Sequence, residues 1–205
     1  MNAPASTSQL NPRNTGHIGD TPLGLTRIFD EDTNIAIWQR SANAHATPLI
    51  DSLLSAGVLG GGWRTVLDMA QPLLPALRPH LPPGSDSWLD DIAGLAELYA
   101  DLLGCPQIGI RLLCTYRGPA TEWLDNSAAD RRWLGASSGG LPDGASGLIL
   151  DPAGVLAAEA WSVVLLKGDL WQGNSGNGVI HRSPDVLPEN GPRILLAMDA
   201  AWDSD

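Results

Sequence analysis

The chain is short of positive charge. Lys and Arg number 12 against 23 Asp and Glu, a formal net charge of -11, and the cations are scattered. Phosphate backbones are bound by basic surfaces, so nucleic acid is excluded as a partner. Cysteine is also scarce: Cys105 and Cys114 can frame neither a disulfide scaffold nor a four-cysteine zinc site. Cys114, inside an apolar run, reads as a small buried hydrophobe. No apolar run approaches the ~20 residues that cross a bilayer, so no membrane association is expected. The opening MNAPASTSQLNPRNTG has neither the basic nor the apolar region of a secretory signal, which makes the cytoplasm the expected location. Phe occurs once while Trp occurs 8 times, a bias that names no function.

What is present fits a globular protein. The 205 residues, 43% of them hydrophobic, suit one domain, since domains mostly run ~100–200 residues. Residues 1–26 are rich in Pro, Gly, Ser, Thr and Asn without an apolar period, and read as a disordered N-terminal arm. Residues 27–205 form the expected single domain. His17 lies in the arm as His-x-x-Asp, a spacing that does not put both side chains on one strand face. Residues 35–38 read as a short strand. A helix is expected over 46–56, with Leu49, Leu53 and Leu54 on one face, and Gly57 and Gly60–Gly62 ending it. The glycine triplet lacks the spacing of a phosphate loop. A second helix is expected over 63–77, kinked or divided by Pro72 and Pro75, with His80 in a turn beyond it. The strongest helix spans 87–103, where Trp88, Ile92, Leu95, Tyr99 and Leu102 recur at the helical period. Ser85 or Ser87 would cap it and Gly104 would stop it. Asp90 and Asp91 read as acidic residues favoured by the helix dipole rather than as a catalytic pair.

Beyond Gly104 the pattern turns to β. Strands are expected over 108–116, 161–167, 178–182 and 193–198, with a Gly/Ser/Asp-rich excursion at 126–152 crossing one mouth of the sheet. Helices first (46–103) and strands second (105–199) predict an α+β fold, the helices packed on an antiparallel sheet or partial barrel.

Several segments resemble, in order, a bacterial family known as domain of unknown function 1826: IAIWQR at 35–40, LLCTYRGPATEWL at 112–124, Asp130-Arg131, LLKGDLWQGN at 165–174, VIHRSP at 179–184 and RILLAMD at 193–199. The resemblance covers most of the chain after the arm, with Ala120 where the family usually has Gly. The neighbourhood of the family's genes implies a link to zinc homeostasis. Its members carry a CxxFHxD segment ahead of the CTY strand. Together with the later His and Arg, that segment resembles the ligand layout of iron and 2-oxoglutarate oxygenases. The implied fold is an antiparallel, jelly-roll-like double-stranded β-helix. Here no FHxD occurs, as if one or two strands were missing between Cys105 and Gln107. The sheet is then incomplete, and the unpaired edges would favour self-association.

The implied metal ligand is His181, with Fe or Zn as the metal. A facial triad needs two histidines and a carboxylate, so the ligand set is incomplete and 2-oxoglutarate turnover is not expected. Arg193 opens an apolar strand on the face of Leu195 and Ala197. Its guanidinium either pairs with Asp199, Glu122 or Asp185, or captures a small acidic ligand in a bidentate grip. Arg182 and Ser183 shape the adjoining loop, where Pro184 keeps Ser183 extended. Glu122 either lines that site or pairs with Arg131 or Arg132. Lys167 reads as a strand-end cation, and Asp169 and Asn174 as turn formers. The expectation is a metal-linked family member with little or no catalysis. The alternative is a non-catalytic small-ligand binding or protein-interaction module.

Overall fold

The computed structural model describes residues 16–59, 61–104, 109–185 and 191–201. Strand β1 (Gly16–Gly19) runs parallel to β2 (Ile35–Trp38), and a 3-10 helix over Pro22–Phe29 joins them. The disordered arm expected through residue 26 is therefore corrected from Gly16 onward. Leu25 and Ile28, both fully buried, stand three apart, the period of a 3-10 turn, and Pro22 fixes the first φ of that turn. Residues 1–15 lie outside the described residues.

Helix α1 (Ala46–Ser55) starts where Asn43 Oδ1 accepts from the backbone N–H groups of His45 and Ala46. It ends before Gly57 at φ +66, and Leu49, Leu53 and Leu54 pack on the core as expected. The helix expected over 63–77 shrinks to α2 (Leu73–Leu77). Pro72 keeps Gln71 out of the helical region, and Asp68 Oδ1 accepts from Ala70 N–H in a turn that competes with a helix. Trp63 stacks instead on His80 at 4.5 Å.

Helix α3 (Asp86–Leu103) buries Trp88, Leu89, Ile92, Leu95 and Tyr99 along one stripe and stops at Gly104, φ +49. Ser85 holds the N-cap position without a side-chain capping bond, contrary to expectation.

The strands form two sheets. β6 (Val163–Lys167), β3 (Ile110–Arg117) and β8 (Ile194–Asp199) join β1 and β2 in the order β1-β2-β6-β3-β8. β4 (Glu122–Leu124) sits between β5 (Val155–Ala157) and β7 (Ile180–Arg182) in the smaller sheet. Every pairing other than β1 with β2 is antiparallel.

The central strands of the large sheet are buried on both faces. Leu112, Cys114, Tyr116, Val163 and Leu165 face the helices. Ile35, Ile37, Leu113, Val164 and Leu166 meet Trp123 of the small sheet. That is why the central strands read as continuous apolar runs. The excursion after β4 covers the outer face of the small sheet rather than a mouth: Leu148 and Ile149 close over Leu124, Val155 and Ile180. The result is a mixed α+β fold.

Candidate functional site

Strand register decides what each candidate residue faces. On β8, Leu195, Ala197 and Asp199 lie opposite Thr115, Leu113 and Arg111 of β3. Leu113 belongs to the cluster between the sheets, so Arg193, of the same parity, looks toward the space between them. There its Nη1 donates to Ser183 Oγ (3.0 Å), and its Nη2 to Thr121 Oγ1 (2.9 Å) and Thr115 Oγ1 (3.4 Å). Thr115 and Thr121 are buried, whereas Ser183 is exposed. The Nε is buried without a partner. Burial holds the guanidinium pKa below its ordinary value, with no carboxylate acting against it. None of the expected ion pairs with Asp199, Glu122 or Asp185 forms: Asp199 binds Arg111 at 2.8 Å and Glu122 binds Arg182 at 2.7 Å.

This is an unusual setting for a cation. Hydroxyl oxygens accept the guanidinium's hydrogen bonds without neutralising it, and a half-buried charge generally requires a counter-ion. The same hydroxyls can turn their O–H groups toward an added anion.

His181 is placed differently. It stands opposite Trp123 in the β4–β7 register, which turns it to the inter-sheet side, where it is exposed. Its Nδ1 lies 3.3 Å from the carbonyl of Val179. Among the described residues, no three His, Cys, Asp or Glu side chains gather closely enough to hold a metal ion. The residues described therefore do not fit an iron or zinc centre. Cys105 and the expected break after it lie outside the described residues.

Arg182 and Glu122 share the opposite, outer face. Arg182 is paired with Glu122 (2.7 Å) and with Asp143 (3.1 Å) of α4 (Asp143–Ser146). The hydrogen bond that Arg182 donates to Glu122 leads in raising the guanidinium pKa. Glu122 thus pairs with neither Arg131 nor Arg132: Arg131 binds Asn126 and the Gly178 carbonyl, and Arg132 binds Asp130. The cleft beside the Glu122–Arg182 pair encloses ≈ 180 Å³, less than the roughly 300 Å³ of a small-molecule pocket. Of the five candidate residues, Arg193 and Ser183 come together at the mouth, and Arg182 and Glu122 pair outside it.

Two polar groups were not expected in the interior. Arg40 grips Asp91 with two bonds (2.6 and 2.8 Å), donates to the Trp161 carbonyl (2.8 Å), and lies 5.6 Å from the ring centroids of Trp38 and Trp161. Tyr116 adds a hydroxyl bond to Asp91 at 2.8 Å. Burial is the largest influence on Arg40 and opposes its charge, yet Asp91 and Cys114 together outweigh it and keep the guanidinium pKa raised. The signal was available: Asp91 sits three after Trp88 and four before Leu95, inside the apolar stripe of α3. The second group is Lys167, buried at the end of β6, donating to the Asp30 carbonyl at 2.7 Å and lying over Trp171. Asn174 and Asp169 act as the expected turn formers, bonding Gly168 O and Gly178 N.

The fold and site define an α+β protein of two apposed sheets with, at their mouth, an arginine that pairs with no carboxylate among the described residues. A family model described as protein of unknown function (DUF1826) matches residues 19–112 and 107–199. The chain belongs to that family. No curated protein and no solved structure matches it.

Proposed function

We infer that this chain is a non-catalytic binding protein for a small carboxylate, held by Arg193 at the mouth between the sheets. The observation that carries the reading is the Arg193 guanidinium, bonded among the described residues only to hydroxyls, with a buried, unpartnered Nε. A carboxylate gripping that edge would supply the missing counter-charge and satisfy the Nε in one bidentate contact.

The strand order supports a related reading of the architecture, a jelly-roll-like double-stranded β-helix without its first two strands. A rolled hairpin nests its strand pairs. Here β4 pairs with β5 and β3 with β6. β7 and β8 come next, and would take two further strands preceding β3. β2, the strand that does precede it, pairs with β6 instead. In the layout implied by the family resemblance, the missing strands would carry the other two metal ligands. The reading therefore keeps the anion-binding half of such a site and loses its catalytic half.

Calorimetric titration with succinate tests the function. Arg193→Ala should abolish binding, and Arg193→Lys should weaken it roughly tenfold or more, because an ammonium cannot fork two bonds. Succinate that fails to bind, or binds both variants like the wild type, would end the reading. The metal-linked alternative is tested separately by zinc and iron titration. Binding that disappears in His181→Ala would favour it.

A further inference from the structure

The edges of the two sheets are protected unequally. β1 has four residues, two of them glycine, and β5 and β7 have three each. Short edges of this kind recruit other chains poorly. β8 ends the large sheet with six residues, Ile194–Asp199, and has no proline, no lysine and no bulge of its own. Its residues also leave apolar surface open: Leu195 is 39% exposed, and Ala197 is exposed beside it.

We propose that β8 pairs antiparallel with β8 of a second copy of this chain, making an isologous dimer with a continuous sheet. The occupant follows from the charge pattern of the strand. A two-fold axis perpendicular to the sheet keeps the helix face of each copy on one side, so residues of equal parity must oppose one another. Centring the axis on Leu196 sets Ile194 against Met198 and Leu195 against Ala197. It also sets Arg193 against Asp199 of the second copy, twice by symmetry. Centres at Leu195 or Ala197 pair neither charge with its opposite. The self-complementary register is thus the one that sets a carboxylate, held by Arg111 of its own copy at 2.8 Å, across from each Arg193, and cross-strand opposite-charge pairs favour association.

The inference shares Arg193 with the proposed ligand site, where Asp199 of the second copy and a small carboxylate would compete for one guanidinium, but it stands on the β8 edge, so each can be tested with the other removed. Sedimentation velocity on the full chain should show a dimer. Ala197→Lys, an exposed change that puts a solvated cation on the edge, should give a folded monomer with unchanged circular dichroism. Arg193→Asp should weaken the dimer by roughly tenfold or more through like charges face to face, and Arg193→Asp with Asp199→Arg should restore it. A wild-type monomer at the highest soluble concentration would overturn the proposal. So would a dimer indifferent to Ala197→Lys, or a charge exchange that fails to rescue. Ala197→Lys leaves Arg193 and its hydroxyls intact. Loss of the dimer with succinate binding retained separates the two claims.

Discussion

At the scale of single residues, one mostly buried ion pair stands out among the described residues. Arg40 and Asp91 have side-chain exposures of 14% and 10%, so removing one partner leaves the other charged, buried and unpaired. Asp91→Ala should destabilise the protein by about 3–5 kcal/mol in urea unfolding, whereas an apolar pair such as Arg40→Met with Asp91→Leu should recover most of that loss. Nearby, burial pushes the Cys114 thiol from 9.0 up to about 11, against the pull of Arg40. The unfolded chain then loses this proton first as pH rises, so it holds fewer protons than the folded chain, and stability falls between pH 9 and 11. Thermal midpoints should decline across that window, and less steeply in Cys114→Ala. The place of Asp91 in the apolar stripe was legible, but its partner was not: Arg40 and Asp91 are 51 positions apart in the chain, and sequence periodicity carries no information on which elements will face each other.

At the scale of elements, legibility followed length and period. The 18 residues of α3 repeat their apolar stripe often enough to be read directly, and β2 and β6 show as apolar runs. The three-residue strands β4 and β5 are too short to display alternation, and the 3-10 helix at Pro22–Phe29 follows a period other than 3.6. The helix expected over 63–77 illustrates the opposite failure, a plausible apolar spacing overruled by Pro72 and a local Asp68 turn. One turn bears directly on the site. Gly118 sits at φ +79, and a Cβ there would come within 3.1 Å of both the Arg193 Cα and the Pro192 carbonyl. Gly118→Ala should cost about 1–2 kcal/mol from the left-handed backbone alone. It should also displace Arg193, weakening succinate binding more than a distant substitution of equal stability cost, as paired unfolding and titration would reveal.

At the scale of the whole molecule, an α+β arrangement was readable from the order of helices and strands, and so was the position of Arg193 at the start of its strand. Its surroundings were not. The hydroxyls of Thr115 and Thr121 come from 78 and 72 residues away, brought in by the apposition of two sheets that no local pattern encodes. That apposition makes Arg193 a cation with no carboxylate partner among the described residues, in a chain of net charge -11 where acidic side chains outnumber basic ones and a counter-ion would ordinarily be easy to find. The most direct test follows the Arg193 Nε–H resonance by nuclear magnetic resonance as succinate is added. A carboxylate gripping the guanidinium predicts a saturable shift of that signal together with those of Thr121 and Ser183. An Nε resonance that stays fixed while succinate perturbs only exposed arginines would contradict the account.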